Sequence, residues 1–210
     1  MSKVYNFSAG PCILPQEVIK KAADAVLNFN NLNLSLIEIS HRSKDFVEVM
    51  ENARALVKEL LNVPDGYQVL FLQGGASLGF YMSALNFMKK ENGSAAYINT
   101  GVWASKAIKE AKRLGDINVI ASSEDKNFSY IPTDYTVPTD VDYLHYTSNN
   151  TIYGTQFQEL PKAEVPVICD MSSDIFSREI NVADFALIYA GAQKNMGPAG
   201  TTLYIVKEEL

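Results

Sequence analysis

Residues 67–90 read YQVLFLQGGASLGFYMSALNFMKK, which is a short apolar strand, a glycine turn and a helical segment in direct succession. An apolar strand that leads straight into a helix is typical of α/β proteins, in which helices cover both faces of the sheet. We therefore predict a strand at 67–72 and a helix at 77–90, joined through Gly74 and Gly75.

The same alternation continues on both sides of this unit. Short apolar or β-branched runs bounded by turn residues predict further strands at 95–98, 118–121, 143–146, 165–169, 185–189 and 201–206. Amphipathic patterns predict helices at 15–28, 44–61 and 102–114. The chain is therefore expected to fold as one α/β domain with a mostly parallel sheet flanked by helices. The turn-rich segment 124–140 predicts an ordered surface excursion or a small hairpin.

Composition narrows the classes of partner. The 210 residues are 47% hydrophobic and 20% charged, which is typical of a folded globular protein, and the net charge of -6 disfavours a nucleic-acid partner. The N-terminus lacks the pattern of a signal peptide, and the apolar runs are too short to span a membrane. Cys12 and Cys169 lie far apart in the sequence. This spacing predicts two reduced thiols and indicates neither a disulfide framework nor a metal site. We therefore expect a cytoplasmic protein without membrane, nucleic-acid or metal partners.

Ligands of open parallel sheets bind beyond the carboxyl ends of the strands, so the residues at those ends are the candidates for a site. The turn at 74–77 leads into a helix, and its free amide groups suit a phosphate. It matches neither the Walker A motif nor the dinucleotide fingerprint. A tight turn without any ligand would have the same sequence.

Asp170 ends the buried strand at 165–169, where an ionised carboxylate needs a cationic partner. Capping of the following segment, or an ion pair with Arg178, would also explain an aspartate here.

Lys194 and Trp103 follow two other strands. Lys194 lies in the small-residue loop AGAQKNMGPAG at 190–200, where a partly desolvated lysine has a lowered pKa and can form a Schiff base. A surface lysine in a flexible loop is the alternative. Trp103, the only tryptophan, begins a helix and can stack on a planar ring or lie in the core.

Taken together, these groups are the parts that a pyridoxal phosphate enzyme requires: a Schiff-base lysine and an acid for the pyridine nitrogen. In this interpretation Asp170 keeps the ring nitrogen protonated and Trp103 fixes the ring plane. The amides of 74–77 and Gln193 hold the phosphate, and Lys194 binds the cofactor and moves protons.

The chain resembles the phosphoserine aminotransferase family, which belongs to the class V, fold-type I aminotransferases. The motifs that carry the resemblance are NFSAGP (6–11), SHR (40–42), GGAS (74–77), GVW (101–103), Asp170 and AGAQKNMGPAG (190–200). The resemblance spans all 210 residues. It implies the large-domain fold of fold-type I enzymes, with pyridoxal 5'-phosphate as the cofactor.

The resemblance also implies roles for single residues. Those expected at the cofactor are Ala76 and Ser77 at the phosphate, Trp103 at the ring, Thr151 at the ring 3-oxygen, Asp170 at the ring nitrogen, Gln193 at the phosphate and Lys194 as the covalent attachment point. Ser173 is expected near the phosphate, with Ser172 as an equal candidate. His41 and Arg42 are expected to bind an anionic group of the substrate.

The implied reaction is transamination between L-glutamate and 3-phosphohydroxypyruvate, giving O-phospho-L-serine and 2-oxoglutarate for serine biosynthesis, with a related step of pyridoxine biosynthesis as a further use. The resemblance also implies a homodimer. Residues 1–210 would form the cofactor-binding large domain, and segment 1–30 would pack against a C-terminal small domain that this chain lacks. The alternatives are a non-catalytic or incomplete fragment of such an enzyme, or another class V activity such as serine–pyruvate transamination or cysteine desulfuration. The desulfurase needs a reactive cysteine on a flexible loop, which neither cysteine offers.

Overall fold

A computed structural model describes residues 4–210. Its helices are α1 (Gln16–Leu27), α2 (Lys44–Leu60), α3 (Gly75–Phe87) and α4 (Val102–Ala111). Its strands are β1 (Tyr67–Leu72), β2 (Ser94–Asn99), β3 (Asp116–Ser122), β4 (Tyr143–Thr147), β5 (Asn149–Asn150), β6 (Thr155–Gln156), β7 (Val167–Asp170), β8 (Leu187–Gly191) and β9 (Thr202–Lys207). Every predicted helix and strand is present, with ends that differ from the prediction by three residues or fewer.

Seven strands form the central sheet in the order β1-β9-β8-β7-β4-β2-β3. Strands β8, β7, β4, β2 and β3 are parallel to one another, whereas β9 is antiparallel to both β8 and β1. The prediction of a mostly parallel sheet is confirmed. The strand predicted at 201–206 runs against the others, so its start lies at the edge where the parallel strands end.

Apolar side chains cover both faces of this sheet, because successive residues of a strand point to opposite faces. On one face Tyr97, Tyr143 and Tyr189 pack with residues of α3 and α4. On the other face Ile98 and Tyr146 belong to a larger cluster that includes residues of α2. The sheet is therefore the centre of a three-layer arrangement, which leaves its carboxyl edge as the place for a site.

The two N-terminal helices are more exposed than the sheet. Helix α1 follows Pro15, whose fixed φ suits a helix start, and it has no buried residue. Helix α2 begins after Ser43, whose hydroxyl accepts a hydrogen bond from the Phe46 amide and so caps the helix. Of the segment 1–30, residues 1–3 lie outside the described residues.

The segment 124–140 contains a short 3-10 turn at Glu124–Lys126 and no strand, so it is the surface excursion rather than the hairpin. The small hairpin of the domain is formed instead by β5 and β6. Within residues 4–210, no helix has the length and apolar character needed to cross a lipid bilayer.

Candidate active site

Strands β2, β4, β7 and β8 end at one edge of the sheet, and this edge gathers most of the predicted site residues. Thr147 pairs with Asp170, and Asp170 pairs with Tyr189, so the ends of β4, β7 and β8 stand side by side. Gly191 ends β8 and pairs with Thr202 at the start of β9. The loops that leave these ends carry the polar groups of the site.

Asp170 is buried, with 2% of its surface exposed. Its Oδ1 accepts hydrogen bonds from the amide of Ser172 at 2.9 Å and from the Ser172 hydroxyl at 2.6 Å. Burial raises the pKa of Asp170, and the Ser172 hydrogen bonds and the charge of Lys194 oppose this rise. The hydrogen bond from the Ser172 amide, two residues further along the chain, closes a local turn of the kind that aspartate side chains often form.

The ion pair between Asp170 and Arg178, the alternative explanation for the aspartate, is not formed. Arg178 lies 3.4 Å from Asp174, and it also donates to the carbonyl of Phe157 at 2.6 Å. Asp174 in turn accepts hydrogen bonds from Ser148 and Gln156. The cation that influences Asp170 is Lys194 instead.

Lys194 is partly buried and meets two of the predicted site residues. Its Nζ donates a hydrogen bond to Thr151 Oγ1 at 2.8 Å and lies 4.5 Å from the centroid of the Trp103 ring. Burial lowers the pKa of Lys194, and the nearby Asp170 and Cys12 oppose this change. A lysine in this setting has a larger uncharged fraction than a solvent-exposed one, which is the form that attacks a carbonyl.

The turn before α3 has the geometry of an anion site. Gly74 and Gly75 have φ of 106° and 64°, a region that glycine enters at little cost, and no side chain caps the helix start. The Ala76 amide nitrogen and Gln193 Oε1 each lie 3.4 Å from the position that a Cβ on Gly191 would occupy. The absence of a side chain at Gly191 therefore keeps a small space open between the helix start and Gln193.

The two serines after Asp170 point to different partners. Ser172 faces Asp170, and its Oγ also accepts a hydrogen bond from the Gly191 amide at 3.0 Å. Ser173 accepts a hydrogen bond from the Asn149 side chain at 2.8 Å and donates one to the Asn149 carbonyl at 3.1 Å. Both hydroxyl groups are thus engaged within the protein.

His41 and Arg42 lie in an exposed turn before α2. The bonds of this turn are local, with the Arg42 amide donating to Ser40 Oγ at 3.1 Å. Within residues 4–210, no hydrogen bond or ion pair joins either side chain to Asp170 or Lys194. Their role at the substrate stays a prediction.

The N-terminal segment contacts the lysine loop, which sequence reasoning did not anticipate. The Cys12 amide donates to the Gln193 carbonyl at 2.9 Å. A Cβ on Gly10 would stand 3.0 Å from Lys194 Cγ, so this glycine packs directly on the lysine side chain. The motif at 6–11 contributes to the family resemblance, but no local sequence pattern indicates that it contacts the lysine loop.

Several buried polar atoms at the same edge have no hydrogen-bond partner within residues 4–210. They include Trp103 Nε1, Thr100 Oγ1, Thr147 Oγ1 and Thr202 Oγ1. Buried polar groups are nearly always satisfied, so unpaired ones mark a place where a polar ligand fits. Open helix amides, a carboxylate, an amine and an indole ring together match a planar, phosphorylated heteroaromatic aldehyde such as pyridoxal phosphate.

Comparisons with known proteins agree with this geometry. The family model described as "Aminotransferase class-V" matches residues 4–210. A curated relative, "Phosphoserine aminotransferase" of Flavobacterium psychrophilum, is 65% identical over 209 residues, which are 99% of this chain and 58% of the relative. The chain thus spans little more than half the length of that relative.

Solved structures give the same result. The phosphoserine aminotransferase of Bacillus circulans subsp. alkalophilus has a TM-score of 0.94 and 47% identity, covering 99% of this chain and 58% of its own. A phosphoserine aminotransferase from Trichomonas vaginalis, described as PLP bound, has a TM-score of 0.91 and 36% identity, covering 99% and 59%. The predicted fold class is confirmed by these matches.

Proposed function

Because the chain belongs to the class-V aminotransferase family, we propose that it binds pyridoxal phosphate through Lys194 as the cofactor-binding part of a phosphoserine aminotransferase. The observation that carries the proposal is the meeting of Lys194 with Thr151 and Trp103, beside the buried Asp170. The three relatives reported above are all named phosphoserine aminotransferases, and each match covers 99% of this chain.

Each residue of the cluster has a task toward this cofactor. When bound, pyridoxal phosphate supplies an electron-poor ring that stabilises negative charge at the substrate α-carbon. Asp170 would hold a proton at the ring nitrogen, and Trp103 would fix the plane of the ring. Thr151 accepts the hydrogen bond from Lys194, so its own hydroxyl hydrogen would be available to donate to the ring 3-oxygen. Lys194 would attach the cofactor and then accept and return the α-proton.

The phosphate would lie at the start of α3. The amides of Ala76 and Ser77 point out of the helix start, where the positive end of the helix dipole favours an anion. Gln193 presents Oε1 to the space kept open by Gly191, so its side-chain amide would have to rotate for Nε2 to donate to the phosphate. Ser173 belongs to this proposal as a residue near the phosphate, although its hydroxyl is engaged by Asn149.

The substrates follow from the family and from charge. In a protein with a net charge of -6, an exposed Ser-His-Arg turn is a local source of positive charge for doubly anionic substrates. We propose L-glutamate and 3-phosphohydroxypyruvate as substrates, bound in part by His41 and Arg42. O-phospho-L-serine and 2-oxoglutarate would be the products, in serine biosynthesis. The proposal includes a cytoplasmic homodimer. The relative from Flavobacterium psychrophilum is matched over 58% of its length, and we propose that the region of the relatives outside the match contributes to the substrate site.

Borohydride reduction with pyridoxal phosphate, followed by peptide mass mapping, tests this proposal. We expect one reduced adduct, at Lys194. Lys106→Ala is the matched control, because the Lys106 amine lies 4.6 Å from the Trp103 ring and is as close to it as Lys194. The adduct should persist in this variant and disappear in Lys194→Ala. An adduct spread over several exposed lysines, or none in a folded chain, would contradict the proposed function.

A further inference from the structure

Ser172 connects the two strand ends that carry Asp170 and the lysine loop. The Gly191 amide donates to Ser172 Oγ at 3.0 Å, and the Ser172 hydroxyl donates onward to Asp170 Oδ1 at 2.6 Å. The Ser172 amide donates to the same oxygen at 2.9 Å. The residue is 5% exposed, so water does not compete strongly for these bonds.

The two carboxylate oxygens of Asp170 differ in their hydrogen bonds. Oδ1 receives both hydrogen bonds from Ser172. No hydrogen bond from any other group in residues 4–210 engages Oδ2. The carboxylate is therefore held by one oxygen, and the other is left free for a ligand at the edge of the sheet.

We propose that Ser172 is a positioning residue, which fixes the orientation of Asp170 and stabilises its ionised form so that Oδ2 meets the ring nitrogen of the cofactor. The inference rests on the proposed function for the identity of the ligand. The Ser172–Asp170 link itself is a property of the protein alone.

The charged and titratable groups around Asp170 explain why a neutral donor matters here. Lys194 favours the ionised carboxylate, whereas Asp174 disfavours it. Burial raises the pKa of the Tyr189 and Tyr204 hydroxyls and of the Cys169 thiol, so these groups stay neutral beside it. Lys194 would change its charge during a reaction with a carbonyl, and Ser172 would not. The hydrogen bonds from Ser172 therefore stabilise the Asp170 carboxylate whether or not Lys194 carries a charge.

The test measures the ionisation of Asp170 by NMR in the cofactor-free 210-residue chain. Carboxyl-labelled aspartate reports the midpoint, and Asp170→Asn assigns the signal. Ser172→Ala should move the midpoint upward by about one pH unit, a roughly tenfold change in the ionisation equilibrium, because it removes a charge-assisted hydrogen bond. Ser172→Thr, which keeps the hydroxyl, should restore the midpoint. Ser83→Ala is the matched control, since Ser83 is a buried serine that donates only within α3.

A second measurement tests the effect of Ser172 on cofactor binding. The dissociation constant of pyridoxal phosphate, measured on a Lys194→Ala background without covalent attachment, should rise about tenfold on adding Ser172→Ala and stay unchanged with Ser83→Ala. If Ser172→Ala does not fold, Ser172→Cys keeps the volume and offers only a weak donor, and the same two shifts are expected from it.

The possible failures are distinguishable. A folded Ser172→Ala or Ser172→Cys chain with an unchanged Asp170 midpoint overturns the role of Ser172, whether or not Lys194 forms its adduct. A wild-type chain that forms no adduct at Lys194 overturns the proposed function, whatever the midpoint does. A shifted midpoint with an unchanged cofactor dissociation constant overturns the part of the inference that aims Asp170 at the ring nitrogen.

Discussion

Because of the buried histidine of β4, the free energy of unfolding should fall when the pH is lowered from about 7 to about 5. His145 has no exposed surface, stacks on the Tyr97 ring at 4.7 Å and shares a 2.8 Å hydrogen bond between Nε2 and the Tyr189 hydroxyl. Its Nδ1 has no partner within residues 4–210. Burial lowers the pKa of His145 from 6.5 to about 3, because the folded protein cannot solvate the imidazolium.

The sign of the pH dependence follows directly. Between a pH of 6.5 and about 3 the unfolded chain binds a proton at this histidine and the folded chain does not. The stabilisation is therefore complete above the unfolded pKa and is lost as pH falls below it. The slope approaches ~1.4 kcal/mol per pH unit, so the free energy of unfolding should fall by about 2 kcal/mol between about pH 7 and about pH 5 from this residue alone.

The perturbation is His145→Gln, which removes the titrating group and keeps a polar partner for Tyr189. Urea unfolding of wild type and variant at the two pH values gives two differences, and a constant packing cost cancels in each. We expect the wild type to lose about 2 kcal/mol more than the variant on acidification. His41→Gln, which removes the other histidine from an exposed turn, is the control. Equal acid losses in wild type and His145→Gln would refute the reasoning.

Three further predictions concern the site. Lys194→Ala should abolish transamination while pyridoxal phosphate still binds without a covalent link; wild-type turnover in this variant, or loss of all binding by equilibrium dialysis, would contradict it. Arg42→Ala should raise the apparent KM for the phosphorylated substrate at least about tenfold, through loss of a charge-assisted contact, with little change in cofactor affinity; equal losses of both would remove Arg42 from the substrate site. Gly10→Ala places a Cβ 3.0 Å from Lys194 Cγ and should reduce the yield of the reduced Lys194 adduct, whereas Gly197→Ala, in the same loop as the lysine and with open space around it, should not; equal yields in both variants would show that the loop moves aside.

The elements of the fold could be predicted because each strand is a short apolar run between turn residues. β1 has the predicted ends, since Gly66 and the glycines at 74–75 bound it sharply. β8 begins two residues later than predicted, at Leu187. Phe185 and Ala186 are buried and apolar, but they follow a 3-10 turn and precede the strand. The Ala186 backbone nevertheless donates to the Val167 carbonyl and accepts from the Lys207 amide, so pairing starts one residue after the predicted beginning.

The site could be predicted in part, because parallel strands end at a common edge. This rule places Asp170, Lys194 and Trp103 together without any knowledge of their contacts. It could not separate Ser172 from Ser173, because neighbouring residues point in different directions and both are plausible donors. The pairing of Cys12 with Gln193 joins residues far apart in the chain, and no local pattern encodes it.

The charge states of Asp170 and Lys194 depend on each other and on the burial of both groups. Burial raises the pKa of the carboxyl and lowers that of the amine, so it favours the neutral form of both, while their mutual attraction favours the charged form of both. Neither effect alone yields an ionised acid beside an uncharged amine, which is the combination that a protonated pyridine ring and a nucleophilic lysine require. The hydrogen bonds of Ser172 reach only the acid, so they stabilise its ionised form without stabilising the ammonium group. Ser172 therefore adds a contribution that favours the ionised acid alone, which is why we expect Ser172→Ala to raise the midpoint of Asp170 although serine carries no charge.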